Sequence, residues 1–172
     1  MIKRKHCPRC NKYKPLSEFG KSNQTKTRKN CWCLECCREV AKEYRQTPAG
    51  IYQNIKGRCK YNERHDAYNR KHHKFNITKK EFIEWYEKQP KLCAYCDIPE
   101  EKLSLLKDST NKSKKLNIDR IDNDKGYEIG NMVLSCTRCN YIKSDFFTFD
   151  EMREIGQKHV KSHWEAILKN KL

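Results

Sequence analysis

Between Leu116 and Lys143 the chain reads LNIDRIDNDKGYEIGNMVLSCTRCNYIK, a short run that combines acids, a glycine turn, asparagines and a Cys-x-x-Cys pair. Asp119 offers a carboxylate and Asn140 an amide oxygen, hard donors suited to magnesium or manganese and poorly suited to zinc. A cation held by so few protein ligands keeps positions open for water and phosphate. Phosphodiester cleavage needs such a cation, together with a base and a group that holds the strand in line. Arg120 follows Asp119 directly. Its guanidinium stays protonated and has no acceptor, so it is excluded as a base, but it can bind a phosphate bidentately and stabilise transition-state charge.

The frame around these residues is written in cysteine. Of eleven cysteines, eight fall in Cys-x-x-Cys pairs: Cys7/Cys10, Cys33/Cys36, Cys93/Cys96 and Cys136/Cys139. Two thiolates three positions apart on a tight turn present both sulfurs to one tetrahedral ion. An odd total, with no secretory signal and no apolar run long enough to span a membrane, points to a reducing interior and to zinc over disulfides. The expectation is two structural zinc sites, one per two pairs, and a cytoplasmic protein with no membrane partner. Cys31 or Cys37 could replace Cys33 or Cys36 in register; Cys59 reads as a packed or surface residue.

Several elements must position these groups. Residues 1–47 read as a treble-clef-like zinc module whose second cysteine pair runs into a helix. Thr47-Pro48 restarts a helix, and residues 48–75 form a basic helical arm carrying Lys56, Arg58, Lys60, Arg64, Arg70, Lys71 and Lys74 between Tyr52, Tyr61 and Tyr68. In the third part, 76–172, Thr78 and Glu81 make a capping box before an aromatic face of Phe82, Trp85 and Tyr86. Strand, turn, strand and helix are expected over 116–143. Thr148 and Glu151 cap a closing helix whose inner face is Met152, Ile155 and His159. The fold class is a small zinc-stabilised α+β protein.

Hydrophobic residues make up 36% of the 172-residue chain and charged residues 35%, with a formal net charge of +16. So thin a core needs metal cross-links, and so large a charge on so small a chain speaks to partners: nucleic-acid phosphate first and an anionic membrane surface a distant second, since no amphipathic lipid-facing segment stands out, with a merely solvated basic surface as the bland alternative. Candidate nucleic-acid contacts are Lys56, Arg58, Lys60, Arg64, Arg70, Lys71 and Lys143.

The run from Leu116 to Lys143, bracketed by Cys93-x-x-Cys96, resembles HNH endonucleases of the ββα-metal fold, especially phage-type members close to the recombination endonuclease VII group; CPRCNKYKPLSEF followed by CWCLEC resembles the zinc segment preceding such domains. The resemblance implies a DNA endonuclease, nicking as a monomer or cutting duplex or branched DNA as a homodimer. It makes Asp119 the first ligand of a catalytic Mg or Mn, Asn140 the last, Asn131 a loop clamp, and Cys93, Cys96, Cys136 and Cys139 the zinc quartet. Arg120 departs from the pattern, in which a histidine base follows the aspartate. Asp122, in the register where related nonspecific nucleases place their histidine, is then a candidate base. His65, His72, His73 and metal-bound water are the others. An alternative is a zinc-finger nucleic-acid-binding protein whose nuclease site has decayed.

Overall fold

The computed structural model describes residues 3–26, 28–65, 74–106 and 114–170. The chain divides into two compact units, Met1–Ile51 and Tyr52–Leu172.

In the first unit, strands β1 (Arg4–Cys7) and β2 (Lys12–Pro15) pair antiparallel with Cys7 opposite Lys12. The turn between them carries Cys10 and then Asn11, whose φ of 54° lies in the left-handed region; asparagine tolerates that conformation better than most side chains. Helix α1 (Leu34–Gln46) starts with Cys33 as its N-cap. The core is Cys7, Phe19, Cys33 and Cys36, with Cys10 and Trp32 packed on it. Four of these six are cysteines, so the metal site is most of the core.

Helix α2 (Pro48–His65) opens at the Thr47-Pro48 signal, with the Thr47 hydroxyl accepting from the Gly50 amide at 3.1 Å. In the second unit, α3 (Lys79–Lys88) begins with the Thr78/Glu81 capping box in both directions and buries Phe82 and Tyr86. Strands β3 (Asn117–Arg120) and β4 (Met132–Ser135) form an antiparallel hairpin with Asp119 opposite Val133 and Arg120 opposite Met132. Helix α4 (Thr137–Lys143) follows at once, N-capped by Cys136. The knuckle at Cys93–Cys96 joins the hairpin through the Ala94 amide, which donates to the Leu134 carbonyl at 2.7 Å. It repeats the first knuckle's device, with Asp97 at φ 58° directly after its second cysteine.

The closing segment is α5 (Phe149–Ile155), capped by Thr148 and Glu151, then a π-helical turn (Gly156–Val160), then α6 (Lys161–Lys169). The π turn corrects the expected inner face. Met152, Gly156, Val160 and Trp164 are buried and His159 is exposed, because a wider turn moves the inward position one residue later than a 3.6-residue period would. Gly156 sits there for lack of a side chain: a Cβ would lie 2.5 Å from the Tyr95 carbonyl oxygen. No described helix is long and apolar enough to cross a membrane.

Candidate functional site

Both cysteine quartets converge. The ligand sulfurs of Cys7, Cys10, Cys33 and Cys36, and those of Cys93, Cys96, Cys136 and Cys139, each lie within 4.8 Å of one another. Four sulfurs at about 2.3 Å from a tetrahedral zinc stand roughly 3.8 Å apart. The observed separations are 3.9 Å for Cys7–Cys36, 4.0 Å for Cys10–Cys33 and 3.8 Å for Cys96–Cys136. All eleven cysteines are free thiols, and the two quartets fit two structural zinc ions. Backbone amides also point at the sulfurs: Cys33 N–H reaches Cys7 Sγ at 3.3 Å and Cys139 N–H reaches Cys136 Sγ at 3.4 Å. Burial pushes the Cys7 thiol up, but the amides of Cys10, Cys33 and Arg9 outweigh it and hold the thiol at about 6, favouring the thiolate that binds metal. Cys31 is exposed, and the Cys37 thiol donates to the Trp32 carbonyl; neither joins a quartet.

Asp119 enters the site from β3 and Asn140 from α4, and one open cleft of about 630 Å³ is lined by both, with Arg58, Arg120, Asp124, Tyr127 and Asp145 among its walls. The Asp119 carboxylate is buried and closely held. Its Oδ1 accepts from the Arg120 amide at 2.8 Å, its Oδ2 accepts from the Tyr95 hydroxyl at 2.7 Å, and the Lys143 ammonium lies 3.8 Å from Oδ2. Burial pushes the Asp119 carboxyl above its usual range, only partly offset by the Tyr95 hydrogen bond and the Lys143 charge. Burial and the Asp119 charge push the Tyr95 phenol up as well, so Tyr95 holds its proton and donates.

Neither Tyr95 nor the inward role of Lys143 was read from the sequence. The signal for Tyr95 is its place inside Cys93-x-x-Cys96: a residue between two zinc ligands points wherever the knuckle aims it, here at Asp119. Lys143, expected on a nucleic-acid surface, is fully buried. Its ammonium donates to Asn123 Oδ1 at 2.6 Å and faces Asp119, so its charge is directed into the site.

Asn131 clamps the β3–β4 connection. Its Oδ1 accepts from the Asp122 amide at 2.8 Å while its Nδ2 donates to the carbonyls of Asp122 (3.2 Å) and Gly126 (2.9 Å). Gly126 is required by packing, since a Cβ would lie 2.1 Å from the Lys74 carbonyl oxygen. Arg120 Nη1 donates to the carbonyls of Asn123 and Lys125 at 2.9 and 3.2 Å, and its guanidinium lies over the Tyr127 ring. It lines the cleft and also ties the turn.

Asp122 lies apart from the cleft walls. Its carboxylate accepts from the Asp124 amide at 2.9 Å and pairs with Lys125 at 3.4 Å. That amide, foremost, holds the carboxyl below the usual range, which is the wrong direction for a base. His65 is exposed and packs on the Tyr61 ring. His72, His73, Arg70, Lys71 and Tyr68 lie outside the described residues. On α2, Lys56, Arg58, Lys60 and Arg64 are exposed, whereas Tyr52 is buried with its hydroxyl on the Ile77 carbonyl. Tyr52 is therefore core and no part of a phosphate-facing surface. Lys56, Lys60 and Lys74 line a second, basic cleft of about 390 Å³.

Searches with protein-family models and against curated protein sequences returned no match to this chain. Among solved structures the chain is similar to PacI, described as a rare-cutting HNH restriction endonuclease with an extraordinary mechanism of DNA perturbation. The TM-score is 0.56 and the identity 26%, over 94% of this chain and 96% of that one. This likeness, spanning nearly both chains, supports an HNH endonuclease relationship and a mixed α+β fold built on two cysteine quartets.

Proposed function

We propose that the protein is a metal-dependent DNA endonuclease that hydrolyses phosphodiester bonds. The observation that carries this reading is the meeting of Asp119 and Asn140, from β3 and α4, in one cleft of a strand–strand–helix unit pinned by four cysteines. Their oxygens suit a hard cation such as Mg or Mn, which when bound neutralises charge on the scissile phosphate and activates water. The chain's own groups do the rest. Tyr95 and the Arg120 amide orient the Asp119 carboxylate. Lys143 balances its charge, Asn131 fixes the turn, and the Arg120 guanidinium at the cleft wall is the candidate phosphate contact. Asp124 and Asp145 are the other carboxylates of that wall and replace Asp122 as candidates for the base. The exposed lysines and arginines of α2 supply the phosphate-backbone surface. PacI, which this chain resembles, is an HNH restriction endonuclease, and the likeness supports DNA as the substrate.

Binding without cleavage is a second reading, favoured by one observation: no histidine lines the described cleft. A plasmid-cleavage assay separates the two. Magnesium-dependent nicking or cutting that disappears in Asp119→Ala and in Asn140→Ala, with zinc content and circular dichroism retained, is expected. Activity surviving in both variants, or no product from the wild type with any divalent ion, refutes the endonuclease reading.

A further inference from the structure

Phe146 is 81% exposed and Tyr141 is 78% exposed, while Phe19 and Phe82 of the same chain are sealed from water. Single exposed apolar side chains are ordinary on protein surfaces, so placement must carry the argument. Tyr141 follows Asn140 on α4 and walls an open cleft of about 590 Å³ with Asn117, Thr137, Asn140 and Ser144. Asn140 and Ser144 are also walls of the cleft that holds Asp119, so the two clefts abut at the end of α4. Phe146 follows Asp145, another wall residue of the Asp119 cleft.

The backbone that presents Phe146 is fixed. Ser144 takes φ 48°, a positive backbone angle that side chains other than glycine adopt only under strain. The amides of Phe146 and Phe147 both donate to the Lys143 carbonyl, at 3.2 and 3.1 Å, and Asn123 Nδ2 donates to the Phe147 carbonyl at 3.2 Å. The Phe146 ring stands edge-on to half-buried Phe147, with centroids 4.9 Å apart and planes at 85°. An aromatic ring held in advance and facing water, one residue along the chain from a wall of the Asp119 cleft, is a surface on which another π-face can settle at small entropic cost.

We propose that Tyr141 and Phe146 are base-stacking residues that receive nucleobases unstacked from the duplex beside the phosphate at Asp119 and Asn140. The inference rests on the endonuclease reading and narrows its substrate class to DNA that is unpaired, or readily unstacked, at the cleaved position. Stacking on aromatic rings offsets the cost of opening a base step, and that cost depends on sequence and pairing even where no base edge is contacted.

After the cut position has been mapped, single-turnover cleavage is measured for wild type, Tyr141→Ala, Phe146→Ala and the double variant. The substrates are an intact duplex and the same duplex mismatched at the cut. Each alanine is expected to slow the intact duplex about tenfold, and the mismatch to restore most of the rate. In parallel, Phe146→Trp is titrated with both DNAs; quenching on the mismatched duplex beyond that of wild type, with its own three tryptophans, reports stacking directly. Unchanged rates, equal slowing on both substrates, or an unquenched Phe146→Trp overturns the proposal while leaving the endonuclease reading in place. Quenching by a protein that cuts no DNA upholds stacking and refutes the endonuclease reading.

Discussion

Lys143 places a buried positive charge 3.8 Å from the Asp119 carboxylate. An ammonium buried beside a carboxylate offsets the desolvation of both, and removing one partner leaves the other uncompensated. Lys143→Met is expected to destabilise the fold by about 2 kcal/mol, seen as a lower urea midpoint. It is also expected to tighten magnesium binding at the cleft, because a positive neighbour of Asp119 has gone. Lys143→Arg keeps the charge but overfills a closed space, so it should destabilise without tightening magnesium. Calorimetric titration that finds weaker magnesium binding in Lys143→Met would contradict this assignment of charge. At this scale the sequence spoke unevenly. The cysteine pairs were legible because Cys-x-x-Cys spacing brings two sulfurs together, while the choice of Cys33 and Cys36 over Cys31 and Cys37 needed the fold. The directions of Tyr95, Asp122 and Lys143 were not, since each is set by contacts across the chain: the Cys93–Cys96 knuckle against β3, the Asp124 amide in the turn, and the packing of α4 on the hairpin.

At the scale of elements, the punctuation was legible where side chains speak locally. The capping boxes at Thr78/Glu81 and Thr148/Glu151 form as read, and α4 (Thr137–Lys143) closes the strand, turn, strand and helix expected over 116–143. The π turn was hidden, because nothing local in GQKHV announces it; it accompanies the close approach of Gly156 to Tyr95. Gly156→Ala therefore drives a methyl onto a carbonyl oxygen and should cost about 1–3 kcal/mol of overpacking, with cleavage reduced because Tyr95 carries Asp119. A thermal melt of Gly156→Ala matching wild type would show that the helix can slide away. The caps also set a pH dependence. The Thr78 side chain holds the Glu81 carboxyl below its usual range, and the Thr148 amide does the same for Glu151. The folded chain thus binds these protons less tightly than the unfolded chain, so their stabilisation is present above the ordinary glutamate range and lost as pH falls through the lowered folded values. Glutamine also satisfies a capping box, so a Glu81→Gln, Glu151→Gln double variant should lose less of its urea midpoint than wild type between pH 7 and pH 3.

For the whole molecule, the formal charge of +16 sets how the chain meets DNA before any chemistry begins. Each phosphate neutralised releases condensed counterion, and the logarithm of the binding constant falls with the logarithm of salt concentration at a slope of about 0.9 per contact. Lys56, Lys60 and Arg64 are exposed on α2 and are absent from the walls of the Asp119 cleft, whereas Arg58 is one of them. If α2 tracks the phosphate backbone, replacing Lys56, Lys60 and Arg64 by glutamine should flatten the salt slope by about 3, weaken binding alike on unrelated sequences, and leave single-turnover cleavage at saturating DNA near the wild-type rate. Arg58→Gln should instead slow cleavage at saturation. A salt slope unchanged in the triple variant would move the phosphate-binding surface off α2 and return its charges to solvation. Loss of cleavage at saturation in the triple variant would bring those three side chains, and not Arg58 alone, into the active site. The sequence made the charge plain, and Ile51, Tyr52, Ile55 and Cys59 at helical spacing also marked an inward face; Tyr52 and Ile55 are core, and the basic residues around Tyr52 masked that signal.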